Sequence, residues 1–243
     1  MKRLFAALLA VAAFSWVALP TDAGTTDYGS GLIGDWSAYS HCDSGCRGVD
    51  TAAGRYVYSD SWDAADVAVA GDSITARSWG DLYPLVTKRG HRMAVNYWSG
   101  RPTTPLVDWL VQRVQAGKHM PSVLIVASGA NDIYSPAVMA SQVRRLKAAL
   151  PSSATLIWVD VQVSRVKYSA AVQVADQRNS MAVNQQIYTN LPYERVIRWS
   201  ELFWGAPWRL GYYLEDGVHP KVGTGTRCWA AAISIPLISQ GVL

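Results

Sequence analysis

DVAVAGDSIT, residues 66–75, is the stretch on which the fold turns. Val67 to Ala70 is a short apolar run bounded by Asp66 and Gly71, with no polar alternation. That is how a parallel strand covered on both faces reads. The run stops at Gly71-Asp72-Ser73, and because Asp and Ser both cap helices, the strand is expected to pass straight into one.

From residue 66 onward, similar β-branched and apolar runs alternate with segments of helical period. Strands are expected at 66–70, 92–97, 122–127, 155–161 and 195–199. Between them, PTTPLVDWLVQRVQAG places Leu106, Leu110, Val111 and Val114 on one helix face. SPAVMASQVRRLKAALP does the same with Val138, Val143, Leu146 and Leu150, and Pro121 and Pro151 close the two segments. The pattern implies an α/β fold with a central five-stranded parallel sheet. No repeat, low-complexity run or interdomain linker breaks it.

The chain has 243 residues, of which 50% are hydrophobic and 16% charged, enough to bury one sizeable core. Its start, MKRLFAALLAVAAFSWVALPTDAG, has a basic end, an apolar run from Leu4 to Leu19 and small residues at Thr21 and Ala23. The run falls short of the ~20 residues that span a bilayer. Residues 1–23 therefore read as a secretory signal peptide cleaved near Ala23, implying a secreted product with no stable membrane insertion. Residues 24–65, rich in Gly, Tyr, Ser and Asp, show no period and are expected to wrap irregularly on a domain spanning 66–243.

A net charge of +4 is too small to point to nucleic acid. An oxidising compartment favours a disulfide between Cys42 and Cys46, which flank an Asp-Ser-Gly turn, leaving Cys228 buried in a helix. His41 beside Cys42 does not make a zinc site, because the spacing matches no common finger and a fourth ligand is missing. No metal, nucleotide or flavin signature is present, so the expectation is no metal and no cofactor.

In an open parallel sheet, ligands bind outside the carboxyl ends of the strands. Four short blocks sit there: Gly71-Asp72-Ser73, Ser99-Gly100-Arg101, Gly129-Ala130-Asn131-Asp132 and Asp216-Gly217-Val218-His219-Pro220. A serine hydroxyl needs a positioned base to act as a nucleophile, and His219 is the candidate. Asp216, three residues earlier, can fix the imidazole tautomer and stabilise the imidazolium. The backbone N–H groups of Ser73 and Gly100 and the carboxamide of Asn131 are candidate donors to an oxyanion.

These blocks resemble those of the SGNH hydrolases, also called the GDSL esterase/lipase family: GDSI, the Gly of NYWSGRPTT, GAND and DGVHP hold Ser, Gly, Asn and His in the family's order. The resemblance covers residues 66 to about 239. It departs at Ile74, where the family often has Leu, and at Pro102, where a polar residue is usual. The resemblance implies a flavodoxin-like three-layer α/β/α sandwich. It further implies a serine ester hydrolase with Ser73 as nucleophile, Asp216 and His219 completing a catalytic triad, and Ser73, Gly100 and Asn131 forming an oxyanion hole. Expected substrates are small-molecule, lipid or glycan esters met by a monomer. An acyltransferase using the same acyl-enzyme, or a catalytically silent glycan-binding module, are the alternatives. LFWGAPWRLGYYLEDGVHP crowds aromatics just before Asp216, so Trp204, Trp208 and Tyr212 are expected to bind substrate at the rim.

Overall fold

The computed structural model describes residues 40–243; the signal-peptide reading over 1–23, and the part of the 24–65 segment before Ser40, lie outside the described residues. The main sheet is built on the stretch 66–75. Strand β4 (Val67–Gly71) lies between β5 (Met93–Trp98) and β6 (Val123–Ala127), and β7 (Thr155–Val159) and β8 (Val196–Ile197) extend the sheet beyond β6, all parallel. These are the five expected strands. A sixth, the two-residue β1 (His41–Cys42), adds antiparallel to the outer edge of β5.

Alternation along the strands sorts their side chains between two cores. Val67, Val69, Val95 and Ile125 face α1 (Ser73–Thr87) and α6 (Thr224–Ser239), which contribute Trp79, Leu82, Val86, Trp229, Ile233 and Leu237. Ala68, Ala70, Ala94, Leu124 and Trp158 face α2 (Thr103–Gln115), α3 (Ala137–Ala149) and α4 (Ala170–Asn190), which contribute Leu106, Leu110, Met139, Leu146, Val183 and Ile187. Each fully buried Val, Leu, Ile or Met among them contributes about 1.5–3 kcal/mol of transfer free energy, so the helices are held to the sheet by burial. The result is the three-layer α/β/α sandwich.

Two expected strands end early. Past Val159, the Val161 N–H bonds the Asn184 carboxamide instead of a ladder partner, and past Ile197 the Trp199 N–H turns back to the Ile197 carbonyl.

Part of the segment read as irregular is a hairpin of β2 (Arg47–Asp50) and β3 (Arg55–Tyr58) lying on α1. Its four-residue strands are too short to show a period. Contact is close because Gly80 carries no side chain: a Cβ there would sit 2.4 Å from the Val49 carbonyl oxygen. Beside it, the buried Asp81 carboxylate accepts from the Thr51 N–H and hydroxyl and from the Thr226 hydroxyl, tying hairpin, α1 and α6 together. Cys42 and Cys46 form the expected disulfide, whereas Cys228 on α6 is only partly buried, at the margin of the core.

Gly80→Ala should lower the melting temperature by several degrees, since overpacking costs about 1–3 kcal/mol and a helical alanine recovers at most ~1. Gly211→Ala, with open space around its added Cβ, is the control and should leave stability unchanged or slightly raised. Equal melting temperatures for the two variants would refute the close-approach reading.

Candidate active site

The turn from β4 into α1 has no spare residue. A Cβ on Gly71 would lie 2.5 Å from the Ala127 carbonyl oxygen and 2.0 Å from the Thr75 hydroxyl oxygen, so only glycine fits. Asp72 caps α1, its Oδ1 accepting from the Ile74 N–H at 2.9 Å. Ser73 is thereby fixed as the first residue of the helix, at the carboxyl edge of the sheet.

On the facing segment, the Ser73 hydroxyl lies 2.9 Å from His219 Nε2, and His219 Nδ1 lies 2.8 Å from Asp216 Oδ2. With Nδ1 donating to the carboxylate, Nε2 is left to accept from the serine. Asp216 Oδ1 accepts from the N–H groups of Val218 and His219. Burial raises the Asp216 carboxyl, but hydrogen bonds from the His219 side chain and backbone, with the attraction of the ring, outweigh it and hold the group well below the usual carboxylate range. The segment is stitched to the chain after β7: Ser164 N–H donates to the Gly217 carbonyl and Val166 N–H to that of Asp216. Gly217 has φ 85°, and a Cβ there would meet the Ser164 carbonyl oxygen at 1.7 Å.

Ser73, Gly100, Asn131 and His219 line one cleft of about 440 Å³. Neither the Ser73 nor the Gly100 backbone N–H has a hydrogen-bond partner among the described residues, so both are available to an anion. Asn131 is held more firmly, its Nδ2 donating to Asp72 Oδ2 and to the Arg101 carbonyl, each at 3.2 Å.

Behind the cleft lie three buried ionisable groups, Asp72, Arg101 and Asp132. Burial pushes the Asp72 carboxyl up to about 6; the Ile74 N–H, the nearby His219 ring and the Arg101 guanidinium oppose this, and Asp132 adds to it. Arg101, only 3% exposed, donates to the Gly71 carbonyl and to Asn96, which in turn donates to Asp43 inside the disulfide loop. Burial lowers the Arg101 guanidinium to about 10 against the pull of Asp43 and Asp72. Asp132, also raised by burial, accepts from the Thr103 N–H and hydroxyl, joining the loop after β5 to the loop after β6.

The structure therefore brings Ser73, Asp216, His219, Gly100 and Asn131 together. It does not bring Trp204, Trp208 or Tyr212 to them. Trp204 lines a second cleft, while Trp208 and Tyr212 stand exposed on α5 (Trp208–Tyr213), a short helix with no buried residue. In their place the cleft is walled by Tyr134, Val163, Arg165, Lys167 and Tyr168. Arg165 is paired with Asp176 and lies over the rings of Tyr134 and Tyr168. No motif marks these residues in the sequence; the signal is their position beyond the carboxyl ends of strands, Tyr134 after β6 and the other four after β7.

No family model and no curated protein matches the chain. Solved structures do. The C-terminal catalytic domain of a Streptococcus pneumoniae peptidoglycan O-acetyltransferase is similar at 16% identity over 74% of this chain and 96% of that one, with a TM-score of 0.56. A GDSL-like lipase from Bacteroides thetaiotaomicron is 17% identical over 73% and 88%, with a TM-score of 0.52. An acetylxylan esterase from Geobacillus stearothermophilus is 16% identical over 71% and 94%, also at 0.52. The chain has the fold of the SGNH/GDSL-type hydrolases.

Asp72 also makes stability pH-dependent. An ordinary aspartate titrates near ~3.9, so the folded chain binds this proton more readily than the unfolded one. The stability contributed by the neutral form is complete below the unfolded value and is lost as pH rises through about 6. Asp216 acts in the opposite sense, and only at more acid pH. The melting temperature should therefore fall between about pH 5 and pH 7. Asp160, likewise raised to about 6 by burial, adds to this fall, so Asp72→Asn should reduce the slope without abolishing it. A variant as steep as the parent would remove Asp72 from the account.

Proposed function

We propose that the protein is an exported SGNH-type serine ester hydrolase that works through an acyl-enzyme on Ser73, and that it is mature after cleavage near Ala23. The observation that carries the reading is the unbroken hydrogen-bonded line Ser73–His219–Asp216 at the edge of a cleft that also holds two free backbone donors.

In this reading the Ser73 hydroxyl attacks the ester carbonyl while His219 Nε2 takes its proton, and Asp216 stabilises the imidazolium through Nδ1. The carbonyl oxygen becomes an oxyanion facing the N–H groups of Ser73 and Gly100 and the Asn131 carboxamide. Exchanging the 3.2 Å bond to the neutral Arg101 carbonyl for one to the oxyanion forms the stronger, charge-assisted bond, while the bond to Asp72 keeps the carboxamide in place. The intermediate collapses, the alkoxide leaves with the proton from His219, and water activated by the same ring releases the acid and restores Ser73.

The fold shared with the acetylxylan esterase and the GDSL-like lipase supports ester chemistry, acyl or O-acetyl, on a small-molecule, lipid or glycan ester. The likeness to a peptidoglycan O-acetyltransferase domain favours a second outcome, in which an alcohol replaces water in the last step.

Ser73→Ala should lose p-nitrophenyl acetate turnover and fluorophosphonate labelling while keeping the parental melting curve. Asp216→Asn should lower kcat by about ten-thousand-fold, the scale of losing an orienting carboxylate. Since only the neutral imidazole accepts the serine proton, kcat/KM should climb with pH and then level off. Residual labelling of Ser73→Ala at the parental rate would withdraw Ser73 as nucleophile.

A further inference from the structure

A second cleft, of about 390 Å³, opens between α4 and the segment that follows β8. Its floor is Val161 and Gln162, and Trp204 stands at its mouth with 51% of its surface exposed.

Among the residues lining it are three carboxamides and two serines, and none is ionisable. Most of the polar groups are already engaged. Asn184 clamps the N–H and carbonyl of Val161, both at 2.8 Å. The Ser180 hydroxyl accepts from Val163 N–H, and that of Ser200 donates to Asp160. Gln177, exposed on α4, donates to Ser164, and its carbonyl oxygen has no partner among the described residues. Gln162 differs: the residue is only 5% exposed and its carboxamide has no hydrogen-bond partner among the described residues, yet its oxygen and nitrogen stay open to water in the cleft. A ligand that supplies both a donor and an acceptor can replace that water without losing a hydrogen bond.

From this we infer that the second cleft is a binding site for a neutral saccharide unit, with Trp204 stacking on the sugar face and Gln162 and the Gln177 carbonyl oxygen bonding its hydroxyls. The chemistry of the lining selects this class. A charged ligand would meet no counter-charge. An acyl chain would strip water from Gln162 and return no hydrogen bond. A pyranose offers apolar C–H faces to an indole and hydroxyls, each donor and acceptor at once, to the carboxamides. The site does not depend on the reaction at Ser73, since its residues and those of the first cleft are different.

The test is a titration of the full-length chain, read by tryptophan fluorescence and calorimetry, with xylohexaose, cellohexaose and chitohexaose. Decanoate and hexagalacturonate are the apolar and charged probes. At least one neutral hexasaccharide should bind the parent and Ser73→Ala alike. Its affinity should drop by about tenfold or more in Trp204→Ala and in Gln162→Leu, the scale of one lost anchoring contact. Turnover of p-nitrophenyl acetate should stay at the parental level in Trp204→Ala, which reports that the fold and the first cleft are intact. Because Trp204 is half in solvent, that variant decides the matter even where the Gln162 change disturbs folding. The proposal is overturned by an absence of binding to all three neutral sugars, by binding that survives Trp204→Ala, or by decanoate or hexagalacturonate as the ligand that Trp204→Ala loses. Those outcomes leave the chemistry at Ser73 untouched, while a parent chain that binds the sugar but does not turn over p-nitrophenyl acetate would count against the Ser73 reading alone.

Discussion

Between the last residue of β4 and the first residue of α1 there is only Asp72, and its carboxylate is buried. One oxygen holds the Ile74 N–H and starts the helix; the other receives Asn131 from the loop after β6. That carboxylate thus sets the position of a helix terminus and of a carboxamide on a different strand end at the same time. Gly71 makes the arrangement steric as well as polar, since the backbone of β6 passes too close for a Cβ. Because β4 is central in the sheet, both neighbours are registered against it residue by residue, from Val67 to Gly71. Their own ends, and the loops they launch, inherit the position of Ser73.

A buried carboxylate is costly unless positive charge or donors face it. Here the neighbouring charge is Arg101, and the same guanidinium also bonds the Gly71 carbonyl, so it holds the turn from behind. Arg101 is in turn reached from the disulfide loop, through Asn96 and Asp43. The outermost strand seals that side: Ser99 N–H donates to the Ser40 carbonyl, and His41 stacks on Trp98 with ring centroids 4.4 Å apart. A covalent loop near the start of the described chain is therefore connected by polar contacts to the loop carrying Gly100, with which it shares no sequence neighbourhood. Such networks give little net stability, and their use is to select one arrangement among several.

How much of this was legible in the sequence follows from what each element buries. The five parallel strands are apolar on both faces, and their runs of Val, Ile, Leu and Ala announced them. The four blocks at the strand ends were legible because glycine, a capping residue and a histidine with a nearby aspartate are each demanded by local geometry. The hairpin over residues 47–58 escaped because its strands are brief and its main contact is the absence of a side chain at Gly80. The aromatics near residue 210 were misplaced for another reason: proximity in sequence to Asp216 says nothing about which way a short helix turns them. α4 conceals its own pattern, since Asp176, Ser180 and Asn184 lie buried among Val172, Val183 and Ile187, and polar residues on the inner face erase the apolar stripe.

Those three polar residues explain why two clefts exist. Asp176, Ser180 and Asn184 are four residues apart, one turn of helix, a rise of about 6 Å. Arg165, Val163 and Val161, whose N–H groups they accept, are two apart in extended chain, a step of about 6.6 Å. The two repeats nearly coincide, so a helix can hold an extended segment by side chains alone, without a strand ladder beside it. The segment held this way borders both clefts: Val163 and Arg165 wall the cleft with Ser73, and Val161 and Gln162 floor the cleft with Trp204. Ser164, between them, takes the amide of Gln177 on one side and bonds the Gly217 turn on the other. One strip of chain after β7 therefore serves as the wall of both clefts, and it also carries the turn that presents Asp216 and His219. Buried polar residues that obscure α4 in the sequence are what fix that strip in place.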